Sequence, residues 1–316
     1  MVNVRPHPFT LRQLQYVVAV ADLLSFRRAA ERCRVSQPSL SAQLAQLEDA
    51  LHVRIFERDR RRVLVTPAGA ALVAHARAVL LAADDLLRAS EGVSDPLAGR
   101  LRVGVIPTIS PYWLPVIAPA LRQAFPRLTL AWREDKTEVL VHALETGELE
   151  AALLALEADV PDVEQALIAE DPFVLAMRPD HPLAKKATAA SAADLGTSEV
   201  LLLDDGHCFR TQALALCSAT RAREAEFRAT SLATLVQMVA SGAGVTLLPA
   251  MSVATEAVRA GLVVRPLSMA GAHRTIALVW RKRAPQGAAL RSLADVMKRS
   301  LPAQAASKQP KQRQHR

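Results

Sequence analysis

Phe26-Arg27-Arg28-Ala29-Ala30-Glu31-Arg32-Cys33-Arg34-Val35-Ser36-Gln37-Pro38-Ser39-Leu40-Ser41 is the stretch on which the reading of this chain turns. Ser25 ahead of it is a good N-cap, and the close pair Ala29 and Ala30 lets another helix cross tightly. Ser36 caps a further helix that carries Pro38 in its first turn, where a missing amide proton costs nothing. Leu40, Leu44 and Leu47 then recur at i, i+4 and i+7 and form an inward stripe. The opposite face shows Gln37, Ser39, Ser41, Gln43 and Gln46. Short donors and acceptors near a helix N-terminus suit the reading of base edges, whereas a merely solvated helix carries Glu and Lys.

Upstream, Leu11, Leu14, Val17, Val18 and Ala21 repeat at helical spacing behind Thr10, another cap. Downstream, 54–58 and 63–66 read as two strands of a hairpin, with Asp59-Arg60-Arg61-Arg62 at its tip for phosphate or minor-groove contact. Residues 1–67 are therefore expected to form a winged helix-turn-helix that binds double-stranded DNA. Its candidate contacts are Arg27, Ser36, Gln37, Pro38, Ser39, Ser41, Gln43, Arg60, Arg61 and Arg62. A three-helix bundle with a charged loop is the plainer alternative.

Charge supports the first reading. The chain carries +8 overall, but residues 1–67 hold eleven Arg against six acids and the segment from Lys298 onward adds six basic residues and no acid, leaving the middle at −3. A basic head on a mildly acidic body points to a polyanion for the head. The tail, 301–316, is too polar to bury anything and is expected to be disordered. With 316 residues, 51% of them hydrophobic, the chain is long enough for several folding units and a sizeable core. No run of about eighteen uncharged apolar residues spans a bilayer, and 1–6 show no secretory signal, so the expectation is a cytoplasmic, nucleoid-associated protein without membrane contact.

Residues 68–92 read as one long helix, with Leu72, Val79, Leu80, Ala83 and Leu87 as an apolar stripe best buried against a second copy; packing on the body is the alternative. Gly92, Ser94, Asp95, Pro96 and Gly99 mark a hinge. Beyond it, strands at 100–106, 128–132 and 151–156 alternate with helices at 114–125 and 139–146. A second set follows: strands at 173–176, 200–203 and 245–248, a helix at 232–241, and a strand at 275–280 that returns to the first sheet. The fold class is α/β with mainly parallel sheets. An effector domain spans 93–300, with subdomain I at about 99–171 and 275–300 and subdomain II at about 172–274.

Phe26–Ala30, Val35–Ser41, Leu47-Glu48, Phe56-Glu57-Arg58 and Thr66-Pro67-Ala68-Gly69 together resemble the head of LysR-type transcriptional regulators. The resemblance runs over nearly the whole chain and stops before the tail. It implies an antiparallel dimerisation helix after the head and a periplasmic-binding-protein-like effector domain of two α/β subdomains around a cleft. It also implies a homodimer or homotetramer, with RNA polymerase as a further expected partner.

Three cysteines in 316 residues do not make a disulfide scaffold, and Cys33 reads as a small core residue. Cys208 and Cys217 stand nine apart. Peroxide is attacked by thiolate, and a thiol of ordinary pKa, about 8.5, needs help to react fast. Cys208 falls at a strand-to-helix junction, beside His207 and close to Arg210, each of which favours the anion. Spacing alone also allows two buried thiols without a role, or a zinc site from Asp205, His207, Cys208 and Cys217.

Asp204–Cys217, Phe227–Leu232, Gly244–Ala250, Gly104–Thr108 and Glu134–Thr137 are similar to the peroxide-sensing members of the LysR-type family. That resemblance implies that Cys208 is oxidised by hydrogen peroxide and resolved by Cys217, with Thr108, Thr137, His207 and Arg274 holding the peroxide. It implies no cofactor, no metal and no enzymatic turnover. A LysR-type regulator that takes a small organic ligand in the cleft, its thiols incidental, stays open, as do a thiol peroxidase and a Cys/His hydrolase. Taken alone, Arg274 reads as a surface charge.

Overall fold

The computed structural model describes residues 6–59, 62–91, 97–157, 160, 163–220, 222–282 and 284–302. The chain forms two compact units, Met1–Ser94 and Asp95–Arg316. In the first, α1 (Leu11–Leu23), α2 (Phe26–Cys33) and α3 (Gln37–Leu51) each begin on the cap that the sequence offers. Thr10 makes a reciprocal capping box with Gln13, and the Ser25 and Ser36 hydroxyls accept from the Arg28 and Ser39 amides. Leu40, Leu44 and Leu47 are buried with Val17, Val20, Ala29 and Ala30, and the Phe26 ring meets Phe56 edge-on at 5.9 Å.

The wing is the pair β1 (Phe56–Asp59) and β2 (Arg62–Val65), in register from Phe56↔Val65 to Asp59↔Arg62. Arg62 is thus a strand residue and not part of a four-residue tip, because it pairs with Asp59 in the ladder. Arg60 and Arg61 lie outside the described residues. Glu48, 4% exposed, fixes the entry to the hairpin by accepting from the amides of Ile55 (2.7 Å) and Phe56 (3.1 Å). Glu48→Ala strands both buried amides, so urea unfolding of the head is expected to show a loss of about 3 kcal/mol. A loss below about 0.5 kcal/mol would rule out that role.

α4 (Pro67–Glu91) is capped by Thr66, whose hydroxyl accepts from the Gly69 amide and donates to the Arg54 carbonyl. Gly69 is required by packing, since a Cβ there would run into the Ile55 carbonyl. The apolar stripe of this helix is divided. Val73 and Ala76 enter the head core and Leu72 and Leu80 pack against it, whereas Val79, Leu86 and Leu87 are 41%, 72% and 62% exposed. A single stripe through Leu72, Val79, Leu80, Ala83 and Leu87 is therefore corrected: the first turns serve the helix's own head.

The second unit runs β3 (Gly99–Val105), α5 (Ser110–Ala124), β4 (Leu128–Glu134), α6 (Thr137–Glu145), β5 (Ala151–Ala155) and β6 (Val163–Met177). It continues with α7 (Ala192–Gly196), β7 (Glu199–Leu203), α8 (Cys208–Thr220), β8 (Arg223–Ala229), α9 (Leu232–Ala240), β9 (Val245–Pro249), β10 (Val263–Pro266), β11 (His273–Arg281) and α10 (Gly287–Ser300). The strand order is β4-β3-β5-β11-β6-β9-β7-β8, with β10 on β6. Parallel pairs (β3 with β4 and β5, β7 with β8 and β9) build the two ends, where helices supply the crossovers. The middle is antiparallel, because β6 and β11 pass between the two halves in opposite directions, so the sheet is mixed and not mainly parallel.

Two cores flank that crossing. One gathers Val103, Ile117, Leu140, Leu153, Leu278 and Trp280, and the other Phe173, Leu201, Phe209, Leu235 and Leu247. Among the described residues no helix is long and apolar enough to cross a membrane.

Candidate functional site

Three chain segments meet at the N-terminus of α8. β3 leads into Ile106-Pro107-Thr108, α6 opens on Thr137 directly after Lys136, and the turn Asp204–His207 leads from β7 into Cys208. That turn relies on Gly206 at φ +86°, a left-handed conformation that costs a glycine little. Ile106, Pro107, Thr108, Lys136, Thr137, Gly206, His207 and Cys208 line a narrow recess. Thr108, Thr137 and His207 are all buried, and among the described residues the Thr137 hydroxyl has no hydrogen-bond partner. A buried orphan hydroxyl facing a small space is what a polar guest would satisfy.

Arg274, from β11, is fully buried and reaches the recess through Thr108. Its Nη1 donates to the Thr108 hydroxyl at 2.7 Å, its Nη2 to the Thr108 carbonyl at 3.0 Å, and its Nε to Asp171 at 3.0 Å. Since the Thr108 oxygen already accepts from Arg274, its own proton is free to be donated into the recess. The guanidinium also lies over the Phe209 ring, 5.6 Å from its centroid. Asp171 is fully buried and accepts from the Met251 amide. Burial pushes its carboxyl up, while Arg274 and the Met251 and Ala250 amides pull it back. Arg274 is no surface charge.

His207 is held below its ordinary range by burial and by the Lys136 ammonium, which keeps the imidazole neutral near pH 7. Arg210 does not assist Cys208 as its spacing suggested. Its guanidinium is committed to Asp205, the Leu203 carbonyl and Glu224 at 2.9, 3.0 and 2.7 Å.

Cys217 stays apart from the recess. Nine residues along α8 place it about half a turn around and about 13 Å from Cys208. Cys208 packs against the first core and Cys217 belongs to the second. Burial, with Glu224, pushes the Cys217 thiol up to about 11. All three cysteines are thiols, and the zinc arrangement is not formed: among the described residues no three His, Cys, Asp or Glu side chains cluster to hold a metal. Sequence reasoning missed Asp171 and Lys136. Asp171 sits in the acidic pair Glu170-Asp171 of a strand whose first half was not read as one, and Lys136 entered only as part of the stretch Glu134–Thr137.

In the head, Ser36, Gln37, Pro38 and Ser39 are exposed at the start of α3, with Ser41 and Gln43 half-buried further along. Arg27 is exposed at the start of α2, in a surface pair with Glu31, and Arg62 is exposed on the wing.

Residues 11–70 match the family model described as bacterial regulatory helix-turn-helix protein, lysR family, and residues 94–302 match the LysR substrate binding domain. The chain belongs to the LysR family. Members of that family are transcription regulators. Among its LysR relatives, the hydrogen peroxide-inducible genes activator of Dickeya chrysanthemi is 41% identical over 292 residues, covering 92% of this chain and 95% of that protein. The DNA-binding transcriptional dual regulator OxyR of Escherichia coli K12 is 42% identical over 289 residues, 91% of this chain and 94% of OxyR. Among solved structures, full-length OxyR from Pseudomonas aeruginosa with a cysteine-to-aspartate substitution superposes with a TM-score of 0.74 at 38% identity, covering 93% and 96% of the two chains. A hydrogen peroxide-bound cysteine-to-serine mutant of Corynebacterium glutamicum OxyR gives a TM-score of 0.62 at 35% identity, covering 94% and 95%.

Proposed function

We propose that this LysR-family chain binds double-stranded DNA through its head and senses hydrogen peroxide through Cys208, with Cys217 resolving the oxidised thiol. The observation that carries the reading is the setting of Cys208. It opens α8 on the wall of a small recess whose other polar walls are Thr108, Thr137 and His207, with Arg274 behind Thr108. The Cys208 thiolate attacks one peroxide oxygen; an S–O bond forms, the O–O bond breaks, and hydroxide leaves. Donated hydrogen bonds from Thr108 and Thr137 stabilise the negative charge that develops on the departing oxygen, and a proton taken up from solvent turns it into water. The sulfenic acid then reacts with the Cys217 thiol to give a disulfide and a second water.

A disulfide needs Cα atoms within about 7 Å, so α8 must unwind for Cys217 to arrive. Oxidation thereby drives a rearrangement of the second core. The recess is a narrow crevice, far short of the pockets of about 300–1,000 Å³ that bulkier organic ligands usually occupy, which favours peroxide over the small-organic-ligand alternative.

The division of labour follows: a DNA-binding head at 1–67, a dimerisation helix at 68–92, and an effector domain at 93–300 with subdomains at about 99–171 plus 275–300 and about 172–274. The basic tail, 301–316, lies outside the described residues from 303 onward. Exposed Val79 and Leu86 on the later turns of α4 support pairing with a second copy, as a homodimer or a homotetramer. The protein acts in the cytoplasm, on the nucleoid, with RNA polymerase as a partner. Gln37, Ser39 and Gln43 read bases while Arg27, Arg60, Arg61 and Arg62 hold phosphates.

Footprinting on upstream DNA with reduced and with peroxide-treated protein, alongside peptide mass spectrometry, tests head and switch together. The expected result is a 208–217 disulfide accompanied by a changed footprint. Identical footprints from protein carrying that disulfide would sink the switch.

A further inference from the structure

Lys136 belongs to the half of the effector domain that supplies Thr108 and Thr137, yet its side chain is anchored on the other half. Its backbone amide is fixed by the Asp135 carboxylate at 2.9 Å. From there the ammonium donates to the carbonyl of Asp205 at 2.6 Å, in the turn that delivers Cys208. The carbon stem crosses Gly206 so closely that a Cβ at that position would stand 2.8 Å from the lysine Cδ. Lys136 and Gly206 both line the recess, together with the sulfur-bearing Cys208. The side chain is half-buried, so one of its flanks faces solvent. The ammonium is also close enough to His207 to hold that imidazole down.

These contacts describe a strap across the mouth of the recess, and a strap sets the size of what can enter. We propose that Lys136 is a specificity-determining residue: it admits hydrogen peroxide to Cys208 and excludes hydroperoxides that carry a branched alkyl group. Hydrogen peroxide is small enough to be wrapped by the hydroxyls of Thr108 and Thr137. An alkyl hydroperoxide has to place its carbon branch where the lysine stem lies over Gly206. The glycine is part of the device, because any side chain at 206 would lift the stem away. The ammonium-to-carbonyl hydrogen bond keeps the stem in place.

This inference rests on the peroxide reading of Cys208, and its test separates the two. In a Cys217→Ser background, sulfenic acid at Cys208 is trapped with dimedone and located by peptide mass spectrometry. Second-order rates are then compared for hydrogen peroxide and tert-butyl hydroperoxide. Lys136→Ala is expected to raise the ratio of the alkyl to the hydrogen peroxide rate by roughly tenfold, the scale on which a small steric change in a pocket discriminates. Lys136→Arg keeps a cationic strap that can still donate to the Asp205 carbonyl, and should hold the ratio within about twofold of the parent. A role limited to structure would slow both peroxides alike. An unchanged ratio in Lys136→Ala, or an equal rise in Lys136→Arg, overturns the strap while leaving the sensor intact. Failure of the parent Cys208 to react with hydrogen peroxide overturns the sensor reading, and the strap with it.

Discussion

A Cys208→Ser protein treated with micromolar hydrogen peroxide should keep its reduced footprint, and its Cys217 should remain an alkylatable thiol. The second-order rate of oxidation in the α8 segment is expected to fall by at least on the order of 10³-fold, the scale on which removal of a nucleophile acts. The reason lies in what the two remaining thiols lack. Cys217 is buried in the second core and its thiol is raised to about 11, so only about one molecule in ten thousand carries the thiolate at pH 7. It also faces away from the recess where Thr108, Thr137 and His207 could assist a leaving hydroxide. Cys33 lies in the other unit, and burial raises its thiol as well.

The reciprocal variant behaves differently. Cys217→Ser should still be oxidised at Cys208, but without a resolving thiol the product accumulates as sulfenic acid and proceeds to sulfinic acid under excess peroxide. A Cys208→Ser protein that still changes its footprint with peroxide would defeat the mechanism.

How much of this was legible beforehand depended on the kind of signal each residue gives. The head was the easiest part. Its helices announce themselves by side-chain caps at Thr10, Ser25 and Ser36 and by the repeat Leu40, Leu44, Leu47, all local patterns. Their ends were harder, because Leu24, Arg34 and His52 close the three helices in the left-handed conformation without a glycine to mark it. In α4 the burial of Val73 and Ala76 depends on α1 packing along the helix, which periodicity alone does not reveal. The first half of β6, Val163–Pro172, escaped notice because acidic and apolar residues are interleaved along a segment that, among the described residues, only β11 partners.

The recess was legible only through resemblance. Thr108, Thr137 and His207 come from separate segments of the chain, and no spacing rule connects them. Asp171 carried no signal at all: an acid in a charged run reads as solvated, yet this one is fully buried against Arg274. Resemblance can carry a residue type across from a family. The pairing that holds the residue in place had to come from the three-dimensional arrangement.

That pairing leads to the second large effect. Asp171→Ala should destabilise the effector domain by about 3–5 kcal/mol, because it leaves the Arg274 guanidinium buried and uncompensated. It should also slow Cys208 oxidation, since Arg274 positions Thr108 through two hydrogen bonds and Asp171 anchors Arg274 through its Nε. Stability and chemistry can be separated by replacing both partners. In Asp171→Leu with Arg274→Met no charge is buried, and shape-matched apolar side chains commonly recover the stability of a buried ion pair. Urea unfolding of the double variant should therefore return towards the parent midpoint. Its peroxide rate should stay low, because Thr108 no longer receives the 2.7 Å hydrogen bond that orients its proton into the recess. If the double variant recovers both stability and rate, the buried pair is scaffolding only. If Asp171→Ala unfolds like the parent, Arg274 has found another anion and the pairing is not what holds it.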